Sequence, residues 1–202
     1  ETNQELSAAN VSNTFITEHA TPEVDAYRFS KLATEAITGT HFKSEADLSE
    51  VNIYSRLKAA LLPVRKYGAQ NIVVYVSSEV MDFLERSKEF TRSIATTSPQ
   101  GIDTRVTSLD GVQLIEVWDD ARFKTKFDFT TGFVKAADGK DINFLIVAKP
   151  AVIAKAKFNS IYLFAPGQHT EGDGYLYQNR LYHDLFVLDT KKDGVYVSHK
   201  SA

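Results

Sequence analysis

A short polar segment in the last fifth of the chain is the densest cluster of residues that could carry chemistry. His169, Glu171 and Asp173 alternate with small residues, and Gly174 follows them. Carboxylates on a glycine-containing loop suit a hard cation such as Ca²⁺, although the ligand spacing of an EF-hand loop is absent. The simpler interpretation is a solvated turn in which glycines adopt positive φ, and the sequence favours it.

A second polar group follows on a segment typical of a strand. Neighbouring residues of a strand point to opposite faces, so His183 and Asp184 are not expected to form a catalytic His–Asp pair. Arg180, Tyr182 and Asp184 share one face and predict a cross-strand ladder of ionic and hydrogen-bonding contacts. A metal-dependent hydrolase that uses the polar residues of 169–184 stays open as an alternative function.

Motifs for other chemistries are absent from the sequence. It contains no G-x-x-x-x-G-K-[ST] or G-x-G-x-x-G phosphate loop, no G-x-S-x-G nucleophile elbow and no H-E-x-x-H zinc motif. The 202 residues include no cysteine, which excludes disulfides, thiolate metal sites and cysteine nucleophiles. The sequence therefore predicts a protein that is not an enzyme, with no catalytic residue, no metal and no cofactor.

Charge and hydropathy exclude two further classes. The 23 basic and 26 acidic side chains give a net charge of −3, without the basic excess of a nucleic-acid-binding domain. No apolar run approaches the roughly 20 residues of a membrane-spanning helix. Glu1 is not a translation start, and no signal-peptide pattern follows it, so we expect a processed or trimmed chain.

The elements that would position the polar residues begin with a long helix. Apolar and small residues recur at helical spacing to about residue 37, and Gly39 ends the pattern. Pro22 interrupts this run, so we expect a kink there or a new helix whose first turn contains the proline. A second helix is predicted from an N-cap at Asp47, with Glu50 completing a capping box.

The remainder of the chain favours strands. Continuous apolar runs at 71–76 and 142–148 are typical of buried strands, and the aromatic-rich stretch 175–188 predicts a long strand. Asp110-Gly111 predicts a hairpin turn. The order of the predicted elements, with helices first and then strands mixed with a few helices, predicts an α+β fold. Other predicted loops and turns lie at 93–101, 167–174 and 191–194.

Several segments are similar, in order and spacing, to those of one protein family. They are PEVDAYRFSKLA at 22–33, NIVVYVSSEV at 71–80, DGVQLIEV at 110–117, INFLIVAKPAV at 142–152, RLYHDLFVL at 180–188 and KDGVY at 192–196. Together they resemble the major capsid proteins of tailed bacteriophages, whose architecture is the Hong Kong 97-type capsid fold. The similarity covers almost the whole chain.

This resemblance implies two domains. A peripheral β-sheet domain with a long spine helix would comprise 1–46 and 158–190, and a mixed α/β axial domain would comprise 47–157 and 191–202. Full-length members of the family carry an N-terminal arm and an extended loop ahead of the spine helix. Both would precede Glu1, which agrees with a trimmed chain.

Some members of this family cross-link a lysine to an asparagine with the help of a glutamate. Alignment on Arg180 places Gln178 where that glutamate would stand, and the loop that carries the lysine is absent. We therefore expect no autocatalytic cross-linking and assign no catalytic residue.

The function implied by the resemblance is that of a structural major capsid protein. The chain would self-assemble into hexamers and pentamers of an icosahedral shell in the bacterial cytoplasm and reside in the virion, away from any membrane. Its other partners would be packaged double-stranded DNA, contacted non-specifically, and scaffolding, portal or decoration proteins. An encapsulin-like nanocompartment shell protein is the nearest alternative. The expected subunit-contact residues are Arg28, His169, Glu171, Asp173, Arg180 and Asp184.

Overall fold

The computed structural model describes residues 10–88 and 107–201. Within this part of the chain the regular elements are one long N-terminal helical segment, two short α-helices and ten strands. The α-helices are α1 (Thr21–Thr38), α2 (Ile53–Leu61) and α3 (Ser78–Arg86). The strands are β1 (Phe42–Glu45), β2 (Ile72–Ser77), β3 (Ser108–Leu109), β4 (Val112–Val117), β5 (Phe127–Asp128), β6 (Val134–Lys135), β7 (Ile142–Ala148), β8 (Val152–Phe164), β9 (Leu176–Val187) and β10 (Val195–Lys200).

The first helical segment is continuous through the proline that the sequence marks as an interruption. An α-helical stretch at 10–15 passes into a π-helical turn, Ile16–Ala20, and then into α1. Pro22 has no N–H to donate, and the irregularity is taken up just before it, where the Thr21 N–H donates to the Ile16 carbonyl. Of the two expectations, a kink or a new helix, the bounds of α1 agree with proline in a first helical turn, but the helical backbone is not interrupted ahead of it.

Six strands form one mixed sheet in the order β1-β10-β7-β2-β4-β3. The pairs β1–β10 and β2–β4 are parallel, and the other three pairs are antiparallel. β7 is central and every residue of it is buried, because both sheet faces are covered. Its side chains alternate between two cores, with Phe144 and Ile146 on one face and Leu145 and Val147 on the other.

Each face of this sheet is covered by different helices. On one face the apolar sides of α2 and α3 pack on β2, β4 and β7; the buried contributions from the helices are Ile53, Leu57, Ala60, Leu61, Val80, Met81 and Leu84. On the other face α1 supplies Leu32, Ala33 and Ala36, which meet the sheet and Leu185 of β9. The fold is therefore α+β, and this prediction is confirmed.

β8 and β9 form a separate long hairpin. Their antiparallel pairing runs from Val152↔Val187 at the base to Phe164↔Leu176 at the tip, with a register shift between Ala156 and Phe158. Strands of this length extend for roughly 40 Å at about 3.3 Å per residue. A short helical turn, Lys149–Ala151, joins β7 directly to β8, so the hairpin continues from the centre of the sheet.

The predicted start of the second helix is wrong. The helix begins at Ile53, six residues after Asp47, and Asn52 occupies its N-cap position. The Asn52 side chain closes a turn ahead of the helix, where it accepts from the Ser49 N–H and donates to the Asp47 carbonyl. This local side-chain to backbone bonding competes with an earlier helix start.

The other predicted elements agree with the structure. The apolar runs at 71–76 and 142–148 form β2 and β7, and 175–188 forms β9. Asp110 and Gly111 have φ values of 52° and 78° between β3 and β4, as a tight hairpin turn requires. The predicted loop 93–101 lies outside the described residues. The division into two domains stays a prediction; β1, within 1–46, pairs with β10 on the six-stranded sheet.

Candidate subunit-contact surface

The β8–β9 hairpin presents two different faces. Paired residues share a face, and the face that contains Tyr177, His183 and Leu185 lies against the first helical segment. We call it the inner face. The opposite face, called the outer face, contains Phe158, Tyr162, Arg180, Tyr182 and Phe186. The first helical segment thus contacts the inner face and, near the base, also Asp184 of the other face.

Aromatic rings and cations alternate on the outer face. The Phe158 and Tyr182 rings, on paired positions of the two strands, stack with centroids 5.7 Å apart. Arg180 lies over the Phe158 ring and Lys157 over the Tyr182 ring, each 5.7 Å from the centroid. Cation–π contacts of this kind hold the four side chains in one row across the two strands.

This row differs from the ladder that the sequence predicts. Arg180 and Tyr182 do share a face, but the contacts that order them are aromatic and cation–π rather than ionic. Asp184 instead accepts a hydrogen bond from the Tyr27 hydroxyl of α1. The predicted ionic ladder is therefore wrong, because Phe158 on the neighbouring strand offers Arg180 a ring face.

The hairpin and its loop expose a large amount of apolar surface. Five aromatic side chains are between 43% and 57% exposed, which corresponds to an area on the order of 500 Å². They are Phe158, Tyr162, Tyr175, Tyr182 and Phe186. Ile153, Ile161, Leu163 and Leu181 add further exposed aliphatic surface. An apolar patch of this size marks a contact site, and a two-stranded ribbon is at best marginally stable without a partner.

The hairpin meets α1 through a small polar cluster. The Tyr27 hydroxyl donates to Asp184 Oδ1 over 2.7 Å, and the His183 ring lies edge-on to the Tyr27 ring at 5.1 Å. Burial and the hydrogen bond to Asp184 raise the pKa of Tyr27 to about 12. Hydrogen bonds from Tyr27 and from the Leu185 N–H lower the pKa of Asp184. The carboxylate is therefore ionised and held between the strand and the helix.

Three buried polar atoms on α1 and on the hairpin have no hydrogen-bond partner among the described residues. They are Arg28 Nε on α1, and Asn179 Oδ1 and His183 Nδ1 on the inner face. Burial lowers the pKa of His183, and the nearby Arg28 charge lowers it further, against the opposing effect of Asp184 and Glu23. The contact between hairpin and helix thus contains buried polar groups that lack hydrogen bonds, which is uncommon in the interior of a folded protein.

The loop at the hairpin tip is ordered by its own side chains. Nδ1 of His169 accepts from the Glu171 N–H, and Nε2 of the same ring donates to the Gly174 carbonyl over 2.7 Å. Both ring nitrogens are engaged within the loop, which agrees with the interpretation as a turn. In the described ranges 10–88 and 107–201, no group of three or more histidine, aspartate and glutamate side chains is placed to hold a metal ion.

A cleft of about 410 Å³ lies beside the hairpin base. Its apolar walls come from α1, the sheet and the hairpin, with Phe29, Val147 and Leu185 among them. Arg28 and Arg122 are at its polar side, and Arg122 forms an ion pair with Asp25 of α1 over 3.0 Å. The cleft extends the apolar surface from the hairpin to the main sheet.

The six expected contact residues fall into three groups along the hairpin. The charges of Arg28 and Asp184 both act on His183 near the base of the hairpin, and Arg180 lies at mid-length on the outer face. His169, Glu171 and Asp173 belong to the tip loop. The structure places Arg28 of α1 and Asp184 of β9 near His183, and the tip residues belong to a separate loop.

Two residues with central roles were missed by sequence reasoning. Tyr27 bonds to the hairpin from α1, and Phe158 organises the outer face. The alternation of aromatic residues at even positions in β8 and β9 is a signal that could have indicated Phe158. Tyr27 carries no such signal, because its partner is 157 positions away in the sequence.

Comparisons with known proteins identify the fold. No protein-family model and no curated protein matches the chain. Solved structures of phage proteins do match it. A chain from Mycobacterium phage Che8 has a TM-score of 0.59 at 13% identity over 88% of this chain. Chains from Mycobacterium phage Ogopogo and Gordonia phage Cozz have TM-scores of 0.53 and 0.51, at 11% and 14% identity, each over 80% of this chain.

These matches establish that the chain has the fold of proteins from mycobacterial and Gordonia phages. The chain spans 58%, 54% and 50% of the lengths of those three proteins, respectively. Among the described residues, no helix has the length and apolarity that crossing a membrane requires.

Proposed function

We propose that this chain is the structural major capsid protein of a tailed bacteriophage, with the Hong Kong 97-type fold. It self-assembles into hexamers and pentamers of an icosahedral shell that encloses DNA, and it acts as a building block rather than as an enzyme. The observation that carries this proposal is the fold shared with three phage proteins. In this assignment the first helical segment is the spine helix and the β8–β9 hairpin belongs to the peripheral domain.

The exposed hairpin supports self-association. A standard protein–protein interface buries about 800 Å² on each partner. The exposed aromatic residues of the hairpin supply much of this area, and the aliphatic residues beside them supply more. A second copy is a suitable partner, because the copies in a closed shell repeat similar contacts with one another.

The six residues at the hairpin and its base are proposed to set the specificity of these contacts. Arg180 presents a cation on the outer face, and Glu171 and Asp173 present carboxylates at the tip. The stem is therefore basic and the tip acidic, so neighbouring hairpins can attract each other when the tip of one approaches the stem of the next. Charges of this type determine register and association rate more than affinity.

Further partners and the location follow from the same assignment. The inner side of the shell contacts packaged double-stranded DNA without reading its sequence, which needs phosphate contacts alone. Scaffolding, portal or decoration proteins are the other proposed partners. The protein assembles in the host cytoplasm and resides in the virion.

Negative-stain electron microscopy of the protein at its natural length tests this proposal. We expect closed shells with hexameric and pentameric capsomers. The variant Phe158→Ser with Tyr182→Ser removes the aromatic row and should leave small unassembled species. The matched control is Val51→Ser, because Val51 is 82% exposed and lies outside the hairpin; it should assemble normally.

Each other outcome has a defined meaning. Protein that stays monomeric or dimeric under all assembly conditions contradicts the capsid assignment. Shells that form equally well from the double variant contradict the role of the outer face. Shells that co-purify with a protein cargo instead of DNA indicate a nanocompartment.

A further inference from the structure

The long hairpin is anchored to the rest of the molecule unevenly along its length. At its base Leu185 is 2% exposed in the core under α1, and the Leu188 N–H donates to the Ala151 carbonyl over 2.9 Å. Near the tip the hydrogen bond and ring contact between the described residues of the helical segment and the hairpin are those of Tyr177, which accepts from the Ser12 hydroxyl and packs against Phe15. The base is therefore a firm attachment and the distal part a weak one.

Between these points lies the polar cluster around Tyr27. Two buried polar atoms of the inner face, Asn179 Oδ1 and His183 Nδ1, have no partner among the described residues, and the same holds for Arg28 Nε on the helix. A buried polar atom without a partner is less favourable than the same atom hydrated. Separation of the hairpin from the helix would expose His183, whose ring contacts Tyr27 of α1, so hydration of Nδ1 favours an open arrangement.

We propose that the hairpin is hinged at its base and that its inner face separates from α1 when His183 takes up a proton. The closed arrangement holds the half-buried imidazole against the Tyr27 ring with Nδ1 inaccessible to water, whereas the open arrangement exposes that nitrogen. An imidazolium ion needs hydration or a paired acceptor, and Nδ1 has neither in the closed arrangement. Protonation therefore favours opening.

The charges around His183 do not compensate for this cost. Burial is the main cause of its lowered pKa, and Arg28 adds to it. Asp184 and Glu23 act in the opposite direction, but the Asp184 carboxylate is already bonded to Tyr27. Lys31 on α1 acts on Asp184, and the elements packed there also contain Lys155 and Lys157 of β8 and Asp128 of β5, which accepts from Thr130.

The direction of the pH effect follows from this arrangement. Because the pKa of His183 is lower in the closed state than in a hydrated state, the closed arrangement is fully favoured above about pH 6.5. Its advantage decreases as the pH falls through the interval between the two pKa values. Within that interval the ratio of open to closed molecules should rise by up to about tenfold per pH unit.

Distance measurements between two spin labels test this inference. The sequence contains no cysteine, so Gln113→Cys on β4 and Gln178→Cys on the outer face would carry the only labels. Labelled chains are diluted into unlabelled chains, so that only distances within one chain are measured. We expect a single distance near pH 7.5 and a second, different distance near pH 5.

Two variants assign the transition to one histidine. His183→Gln keeps a neutral polar side chain and should abolish the second distance at acidic pH. The control His169→Gln removes the histidine of the tip loop and should leave the transition unchanged. A second measurement, NMR titration of the histidines in the unmodified chain, should give a midpoint for His183 that coincides with the change in distance.

This inference can fail without the proposed function failing, because the distances and the histidine titration are measured within one chain and do not require assembly. One distance at both pH values overturns the hinge. A transition that persists in His183→Gln, that is lost in His169→Gln, or whose midpoint differs from that of His183 overturns the role of His183. If His183→Gln fails to fold, the comparison of the His183 titration midpoint with the midpoint of the distance change decides whether His183 controls the transition.

Discussion

Gly194 shows how a single residue controls the passage from the hairpin back to the sheet. It is buried at the end of the short helical turn Asp189–Gly194, immediately before β10. A Cβ atom at this position would lie 2.6 Å from the Cβ of Ala151 and 3.2 Å from that of Ala148. Only a residue without a side chain lets the two segments approach this closely.

Replacement of this glycine is therefore expected to destabilise the fold. Gly194→Ala should lower the free energy of unfolding by about 1–3 kcal/mol, because backbone segments must shift to admit the methyl group. Urea denaturation measures the change. Gly174→Ala is the control, since its Cβ would meet no atom within 4 Å, and it should stay within about 0.5 kcal/mol of the parent. Equal stabilities for the two variants would contradict the close approach.

At the scale of elements, the hairpin is stabilised from its base. Leu185 of β9 belongs to the core that α1 forms with the sheet, whereas Leu163 near the tip is 46% exposed. The same residue type thus performs two tasks on one hairpin. The buried Leu185 stabilises the fold, whereas the exposed Leu163 is available to contact a partner.

A pair of matched substitutions distinguishes these tasks. Leu185→Ala should cost about 2–5 kcal/mol of folding stability, because it leaves a cavity under α1. Leu163→Ala should change the stability of the unassembled chain by less than about 1 kcal/mol but weaken self-association. Chemical denaturation and sedimentation velocity measure the two effects. Comparable losses of stability would show that the tip is packed in the monomer.

At the scale of the whole molecule, β10 completes the main sheet. β10 lies between β1 and β7, so it joins the segment after the first helix to the centre of the sheet. Phe42 pairs with Val197 and Glu45 with Lys200 across more than 150 residues of sequence. The main sheet is therefore complete only after the C-terminal residues are in place.

Removal of β10 should prevent folding altogether rather than only lower the stability of the folded chain. A chain that ends after Gly194 lacks β10, exposes Leu145 and Val147, and leaves β1 without its partner. We expect loss of cooperative thermal unfolding by circular dichroism. A chain that ends after Ser201 keeps the strand and should unfold as the complete chain does. A cooperative transition in the shorter chain would contradict the central position of β10.

The sequence by itself determined those secondary-structure elements that depend on interactions between residues close together in the chain. The glycines after a helix and in a hairpin turn, the proline at a first helical turn, and the continuous apolar runs of β2 and β7 each act within a few residues. The predicted N-cap at Asp47 failed because a second local signal, the side chain of Asn52, competed with it. Composition and element order were sufficient for the α+β class.

Only the tertiary structure decided what these elements do to one another. The bond between Tyr27 and Asp184, the edge-on contact of the His183 ring with Tyr27 and the ring of Phe158 under Arg180 join residues on different elements. No local pattern encodes such contacts, because they depend on how the hairpin lies on the helix. The candidate contact surface has the same origin: the sequence supplies its aromatic residues, but which of them remain exposed is decided by the side of the hairpin that α1 covers.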